Sequence, residues 1–362
     1  MANESLSKAK SAKNDEFYTQ YYDIEREVEA YLDYNPDVFR GKTVLLPCDD
    51  PEWSNFTKYF AQNFERLGLR KLISTSYAIE RKQERYGAQL SLFETEFETS
   101  SPHYDRKKTR SHGKIFILEQ DENGDSLIDI DDLKWQYLKG DGDFRSAEVT
   151  RLRDEADIIV TNPPFSLFRE FVAWLVCTDK NFIIIGNMNA ISYKEVFPLI
   201  RDNKMWLGVS SGAKEYLKPG GEVQKMGNTC WFTNVDHGRR HQPLELMTME
   251  DNIKYSRHKE VAGQHYIHYA NYDAIEVPYA DAIPSDYEGT MGVPLSFLFK
   301  YCPEQFTIIG QTQGDSGKEL GLKPYPRELK KLNPSLRDGQ LYYIKDMHPE
   351  KPYARILIRK KQ

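Results

Sequence analysis

The chain has 362 residues, enough to bury one large core or two smaller ones. A hydrophobic content of 40% and a charged content of 29% are those of an ordinary soluble globule. No run approaches the ~18 apolar residues of a membrane span, and residues 1 to 13 lack the apolar stretch of a secretory signal. We therefore expect a cytoplasmic protein, whose four scattered cysteines predict reduced thiols and no metal site.

The net charge of −6 argues at first against a nucleic-acid partner, but the charges are unevenly distributed. Residues 318 to 362 contain 12 Lys and Arg against 5 Asp and Glu, whereas residues 119 to 133 contain 7 acidic residues and no basic one. A DNA-binding surface can coexist with an acidic surface elsewhere. The basic segment predicts phosphate contacts, for which we single out Lys330, Lys331, Arg359 and Lys360.

In chain order, the first two thirds of the sequence alternate short apolar runs with amphipathic segments. The predicted strands cover residues 43–47, 71–77, 158–161, 182–185, 206–209 and 229–235. The predicted helices cover residues 23–34, 167–176 and 194–201, and one more carries Phe56, Phe60 and Phe64 on one face. This alternation predicts an α/β fold with a doubly wound, mostly parallel sheet.

The polar residues 79–135 interrupt this alternation as an insert, within which residues 114–118 and 126–130 predict a hairpin around Asn123-Gly124. Basic residues between 106 and 110 belong to a solvated loop or contact the DNA backbone. We predict a catalytic domain over residues 1–236, including the insert, and a DNA target-recognition region over residues 237–362.

The strand at 158–161 runs into Asn162-Pro163-Pro164-Phe165, at the sheet edge where open α/β folds place ligands. The Asn162 side chain and the Pro163 carbonyl can each accept one hydrogen of a planar amino group, which favours a tetrahedral nitrogen ready for methylation. Phe165 would stack on the base, and the rigid Pro163-Pro164 pair would hold both acceptors in place. The tetrapeptide therefore suits methylation of a group such as N6 of adenine. A strand-to-helix turn without chemistry is the alternative.

Several further segments, in chain order, carry a resemblance to a known family. They are residues 15–20, Cys48-Asp49-Asp50-Pro51, residues 139–146, residues 161–170, Ile185-Gly186-Asn187, residues 292–306 in part and residues 354–358. Here the chain resembles the amino-methyltransferases that use S-adenosylmethionine (SAM), and more narrowly the EcoRI-type adenine-specific DNA methyltransferases. The resemblance implies a Rossmann-like fold and methyl transfer from SAM to N6 of adenine in a specific duplex sequence, by base flipping and direct displacement.

The resemblance also implies a cofactor site. In the family, an acid followed by an aromatic binds the adenine ring of the cofactor, and an N-terminal arm closes over its methionine end. The residues of this chain that match the implied site are Phe17, Tyr18, Thr19, Cys48, Asp49, Asp143, Phe144 and Asn162.

The chain departs from the wider superfamily at two places. The turn after the first core strand contains Cys48 and Asp49 but no glycine, and the second strand ends without the acid that often binds ribose. Asp50-Pro51 can also simply start a helix, and the aromatics at 17 and 18 can anchor a terminal arm. Gly140-Asp141-Gly142-Asp143 can also be a bare turn. The run could suggest a calcium site, but the remaining ligands of a calcium loop are missing.

The resemblance implies a duplex DNA partner and a cognate restriction endonuclease acting on the same site, in a bacterial or phage-encoded protein. We expect a monomer without metal or membrane partners. Trp231 and Phe232 either flank the target base or belong to the core. Competing functions are methylation of cytosine N4 or of a protein glutamine, and a catalytically silent DNA-binding module.

Overall fold

The computed structural model describes residues 18–49, 54–78, 104–120, 134–217 and 223–361, together with residues 128 and 132. The chain divides into two compact units. The first comprises residues 1–190 and 207–237, and the second comprises residues 191–206 and 238–362. Phe17, the Asp50-Pro51 helix start and much of the polar insert lie outside the described residues.

Nine strands form the sheet of the first unit. They are β1 (Tyr18–Thr19), β2 (Thr43–Leu46), β3 (Lys71–Ser76), β4 (Lys114–Leu118), β5 (Lys134–Tyr137), β6 (Ile158–Thr161), β7 (Asn181–Asn187), β8 (Trp206–Leu217) and β9 (Val223–Thr233). Their order across the sheet is β1-β8-β9-β7-β6-β2-β3-β4-β5.

The four central strands β7, β6, β2 and β3 run parallel. β2 and β6 are buried along their whole length, as expected for apolar runs at the centre of a sheet. On either side of them the pairing is antiparallel, as between β4 and β5 and between β9 and β7. The predicted α/β class is confirmed, but the sheet is mixed. Its parallel part is short because β4 with β5, and β8 with β9, are consecutive in the chain and adjacent in the sheet.

Six helices of the first unit accompany this sheet among the residues that the structure describes. They are α1 (Tyr21–Tyr34), α2 (Asn55–Gln62), α3 (Phe64–Leu67), α4 (Arg106–Ser111), α5 (Ala147–Glu155) and α6 (Phe168–Val176). The predicted stripe of Phe56, Phe60 and Phe64 is confirmed, since all three side chains are buried in one cluster with residues of β2, β6 and β7. α6 is preceded by a 3₁₀ turn over Phe165–Leu167.

Two predicted elements differ from the structure. The partner of β4 is β5, whereas most of the predicted strand over 126–130 lies outside the described residues. The helix predicted over 194–201 is confined to Phe197–Arg201, with a separate 3₁₀ segment over Met188–Ser192 before it.

Glu27 fixes α1 to the backbone of β8. Its side chain is fully buried, and its carboxylate accepts from the Tyr31 hydroxyl (2.9 Å), the Val209 amide (2.8 Å), and the amide and hydroxyl of Ser210 (both 2.8 Å). Gly208 leaves room for it, because a Cβ at that position would overlap Glu27 Oε1. Burial raises the pKa of Glu27, and the four donors oppose this shift.

We expect Glu27→Gln to lower the free energy of unfolding by about 2–4 kcal/mol, because an amide group would face donors that the carboxylate now satisfies. Tyr31→Phe, which removes one donor, should lower it by about 1 kcal/mol. Because the pKa of Glu27 is raised in the folded state, its contribution is fully present below its ordinary pKa of 4.5 and is lost as the pH rises through the folded-state pKa. Urea unfolding at several pH values measures both effects. A Glu27→Gln protein as stable as its parent would contradict this role.

The second unit contains a four-stranded sheet and a separate hairpin. Its elements are α7 (Phe197–Arg201), α8 (Met249–Tyr255), β10 (Ile275–Glu276), β11 (Met291–Pro294), β12 (Phe306–Gln311), α9 (Asp315–Glu319), β13 (Tyr343–Lys345), β14 (His348–Glu350) and β15 (Arg355–Lys360). The sheet order is β10-β11-β15-β12, and β13 pairs with β14. β15 begins at Arg355, which forms a buried ion pair with Glu276 (2.5 Å).

Candidate active site

The carboxyl ends of the four parallel strands form one edge of the first unit's sheet. In the order β7, β6, β2 and β3, the strands end at or run into Asn187, Asn162, Asp49 and Ser76. Neighbouring strands lie about 4.8 Å apart, so polar side chains from adjacent strand ends are brought together. Open α/β sheets bind their ligands at this edge.

Asn162-Pro163-Pro164-Phe165 follows β6 directly. Pro163 is buried, Asn162 and Phe165 are half-buried, and Phe165 packs against the core cluster beneath the edge. The Leu167 amide donates to the Pro164 carbonyl (2.9 Å), which begins the 3₁₀ turn into α6. Because proline fixes φ, this turn holds the Asn162 side chain and the Pro163 carbonyl on a rigid backbone.

Asp49 joins the turn after β2 to the strand that carries Asn162. Its carboxylate is buried and accepts from the Thr161 hydroxyl (2.5 Å) and from the Ser54 hydroxyl (2.7 Å). Thr161 immediately precedes Asn162, and Ser54 also caps α2 by accepting from the Phe56 amide (3.1 Å). Asp49 therefore braces the Asn162 strand in addition to any contact it makes with a ligand. The sequence identified Asp49 but did not reveal Thr161.

Hydroxyl groups hold the turn after β2 where related folds use glycine. Thr75 Oγ1 donates to the Pro47 carbonyl (3.0 Å), and the Ser74 hydroxyl donates to the Asp49 carbonyl. Thr57 Oγ1 lies 2.9 Å from Ser74 Oγ. Ser74 and Thr75 belong to β3, so the hydroxyls near the end of that strand support the turn.

The segment 140–144 packs on the carboxyl end of β3. Gly142 has φ +81°, and a Cβ on it would overlap the Ser76 carbonyl oxygen, so only glycine fits there. The Ala78 amide donates to the Asp141 carbonyl (2.8 Å). Gly142 thus allows a close backbone approach, which puts Asp143 and Phe144 on a segment attached to β3, the strand next to β2.

Asp143 has a basic partner that sequence reasoning missed. Arg145 binds both carboxylate oxygens, with Nε 2.9 Å from Oδ1 and Nη2 2.8 Å from Oδ2, and it also donates to Glu170 of α6. A carboxylate accepts several hydrogen bonds, so Asp143 keeps capacity for a ligand amino group. Phe144 is buried, and its ring packs edge to face on Phe171 with the centroids 5.0 Å apart.

The N-terminal arm lies beside the start of α2. Tyr18 and Thr19 pair with the end of β8, and the Thr19 carbonyl accepts from Asn55 Nδ2 (2.8 Å). The Thr19 hydroxyl oxygen is buried and has no hydrogen-bond partner among the described residues. An orphaned buried hydroxyl calls for an explanation, and a bound polar ligand supplies one.

Trp231 and Phe232 do not flank a target base. Both side chains are fully buried in β9, where Trp231 packs on Phe56 (5.9 Å between centroids) and Phe232 packs on Phe168 (5.2 Å). The alternative that they are core residues is confirmed. A buried strand next to a parallel core accounts for both aromatics.

The four basic residues singled out for DNA lie on two elements of the second unit. Lys330 and Lys331 are exposed at the end of a 3₁₀ turn over Arg327–Lys331. Arg359 and Lys360 end β15, where Arg359 donates to Thr290 Oγ1 (3.1 Å) and Lys360 donates to a backbone carbonyl. The side chains of Arg359 and Lys360 therefore already make hydrogen bonds within the second unit.

Residues 255 to 272 are rich in Tyr, His and Asn, and their side chains divide between surface and core. Tyr255 is 63% exposed and His265 is exposed, but Tyr269 and Asn271 are buried. His258 stacks on Tyr279 with ring centroids 3.7 Å apart. The stretch thus combines core residues with an aromatic and basic surface.

In the part of the chain that the structure describes, no group of three or more His, Cys, Asp or Glu side chains could hold a metal ion. None of the described helices has the length and apolar character needed to cross a membrane.

An Asn-Pro-Pro-Phe turn at the end of a central parallel strand, beside acidic groups from neighbouring segments, is the arrangement of an amino-methyltransferase. The model of the family "Adenine-specific methyltransferase EcoRI" matches residues 5–361. The chain therefore belongs to this family and is an adenine-specific DNA methyltransferase of the EcoRI type.

Three relatives are similar along nearly the whole chain. The Type II methyltransferase M.EcoRI of Escherichia coli is 41% identical over 347 residues, covering 90% of this chain and 96% of its own length. M.MpnI of Mycoplasma pneumoniae is 31% identical, covering 99% of this chain and 98% of its own. M.MgeORF184P of Mycoplasma genitalium is 30% identical, covering 99% of both chains. No solved structure matches the chain significantly.

Proposed function

We propose that this enzyme transfers the methyl group of SAM to N6 of adenine within a specific duplex DNA sequence. The observation that carries the proposal is the placement of Asn162-Pro163-Pro164-Phe165 directly after the central strand β6, tied through Thr161 to the buried Asp49. The sheet is proposed to be the doubly wound, Rossmann-like sheet of such enzymes, with its ligand edge at these strand ends.

Asn162 and the Pro163 carbonyl accept the two hydrogens of the adenine amino group in this proposal. Accepting both hydrogens favours a tetrahedral nitrogen. Its lone pair is then no longer conjugated with the ring and can attack the methyl group of SAM. Phe165, half-buried against the core, offers its remaining surface for stacking on the base. Catalysis then rests on positioning and electrostatics. Adenine inside a duplex cannot reach these groups, so the base is flipped out of the stack.

The residues at the sheet edge fit a SAM site. Thr19 contributes a buried hydroxyl without a partner among the described residues, and Asp143 contributes a carboxylate held in place by Arg145. Phe144 and the Cys48-Asp49 turn complete the proposed site, together with Phe17 and Tyr18 of the arm. SAM, when bound, supplies an electrophilic methyl group on a sulfonium.

Asp143→Ala should weaken SAM binding by about 1.5–3 kcal/mol, the value of a hydrogen bond to a charged group. Glu170→Gln is the matched control, because it removes the charge of the second partner of Arg145 and leaves the Asp143–Arg145 pair intact. The control should bind SAM within about twofold of the parent. Titration calorimetry with SAM measures both variants, and unchanged affinity in Asp143→Ala would remove Asp143 from the cofactor site.

We further propose that the second unit carries target recognition and that residues 318–362 contribute phosphate contacts. The excess of basic residues in this segment supports the proposal. The Type II names of the relatives support a role in restriction-modification, with a cognate endonuclease acting on the same site. We propose a monomeric, cytoplasmic enzyme.

Methylation of cytosine N4 or of a protein glutamine would use the same tetrapeptide, and a silent DNA-binding module would use the same fold. Incubation with isotopically labelled SAM and a plasmid free of adenine methylation distinguishes these functions. Nucleoside mass spectrometry should find N6-methyladenine, and sequencing of the modified plasmid should place it at one short motif. Label in N4-methylcytosine or in protein, or no transfer at all, would overturn the proposal.

A further inference from the structure

The hairpin β13–β14 ends in a strained two-residue turn. Asp346 and Met347 have φ values of 47° and 65°, and Lys345 and His348 form the last pair of the ladder. Turns with two positive φ values favour glycine and asparagine. An L side chain is strained in this region because its Cβ crowds the following carbonyl, so local structure disfavours methionine at position 347.

Packing within the described chain does not offset this strain, because Met347 is 89% exposed. Ile344, in the same hairpin, is 44% exposed, and the nearby Tyr353 is 76% exposed. Contiguous exposed apolar surface on a soluble protein marks a site of contact with a partner. A strained residue that gains nothing from its own fold points to a contact outside the chain.

The segment beside the hairpin is basic. Residues 323 to 338 contain 5 Lys and Arg against 2 Asp and Glu. Asn333 Nδ2 donates to the Pro349 carbonyl (2.9 Å), so the segment is fixed to the hairpin. Leu329 packs against a cluster of Tyr325, Leu336 and Tyr342, the last of which precedes β13. Lys330 and Lys331 are exposed on it and have no ion-pair partner among the described residues. The apolar tip therefore projects next to a cationic surface.

We infer that the β13–β14 hairpin enters the major groove of the substrate duplex and places Met347 against the apolar edges of bases, while Lys330 and Lys331 contact phosphates beside it. This inference rests on the proposed function and adds a base-contacting element to it. The major groove admits a two-stranded β-ribbon, and it presents the thymine methyl group, the apolar edge of an adenine–thymine pair. A polyanion with apolar base edges matches both the cationic surface and the exposed methionine.

Met347→Gly tests the inference, because it removes the side chain and relieves the backbone strain together. Its thermal stability should equal or exceed that of the parent. Its affinity for a plasmid-derived duplex free of adenine methylation should fall by about ten- to a hundredfold, the effect of removing one methionine side chain that is buried in the complex. The slope of log affinity against log salt should not change, because an apolar contact releases no counterion.

Asp346→Gly is the matched control, since it relieves the same kind of strain at the neighbouring turn position and leaves Met347 in place. It should bind DNA at least as tightly as the parent. Parental DNA affinity in Met347→Gly, a changed salt slope, or a change of mass in sedimentation would each overturn the inference. A parent that neither binds nor methylates the duplex would instead overturn the proposed function, so the two failures are distinguishable.

Discussion

Asn162→Ala should abolish methyl transfer while leaving the affinities for SAM and DNA close to those of the parent. Removing one preorganised polar group from a catalytic site lowers kcat by about 10²–10³-fold, and Asn162 is proposed to hold the reacting nitrogen itself. The substitution is made on a turn whose backbone is fixed by Pro163 and Pro164, so the fold should be unaffected. Single-turnover methylation of a plasmid, with separate binding titrations, measures the three quantities.

Asn162→Asp is the matched variant, because it keeps a side-chain acceptor of the same size. It should retain more activity than Asn162→Ala. Near-parental turnover in the alanine variant would falsify the catalytic role. If Asn162→Ala no longer bound SAM, Asn162 would belong to the cofactor site alone.

Neutralising Lys330, Lys331, Arg359 and Lys360 together should weaken binding to all DNA sequences alike. Removing one phosphate contact lowers the salt slope by about 0.9, and four such contacts correspond to about a 10³-fold difference in affinity at 0.15 M salt. Preference for the target sequence over other sequences should survive, because phosphate contacts carry no sequence information. Fluorescence anisotropy at several salt concentrations gives both the affinity and the slope.

The control for this variant comes from the same segment. Lys318 and Arg327 are ion-paired with Asp315 and Asp338 (both 2.8 Å), so their neutralisation should change the slope less. Arg359 and Lys360 donate hydrogen bonds within the fold, and a thermal melt therefore accompanies the binding assay. An unchanged affinity and slope in the quadruple variant would make the basic segment an ordinary solvated surface.

The features that the sequence predicted well are local in the chain. Apolar runs located β2, β6 and β7, and the Phe56, Phe60 and Phe64 spacing located a buried helical face. The Asn-Pro-Pro-Phe motif located the strand end that the structure places at the centre of the sheet. In each case the signal lies within a few consecutive residues, which is the range over which hydrophobic periodicity operates.

The features that the sequence did not predict join residues far apart in the chain. Thr161 and Asp49 are 112 positions apart, and Glu27 and Ser210 are 183 apart. Arg145 lies two residues after Asp143 but gave no signal as its partner, because opposite charges close together in sequence are common on solvated surfaces. The antiparallel pairing of β9 with β7 was not predicted, because the apolar pattern of a strand does not give its direction.

The hydrogen bond between the Thr161 hydroxyl and Asp49 restricts the substitutions that this enzyme can accept at the two positions. It ties a turn proposed to hold the cofactor to a strand proposed to hold the substrate base. Substitutions at the two positions should therefore have non-additive effects, because either one alone releases the same bond. Affinity for the methyl donor and the rate of the chemical step then cannot be tuned independently at these positions. Variants with altered cofactor preference are more readily reached through segment 140–144, which packs on β3 and whose Asp143 is held by Arg145.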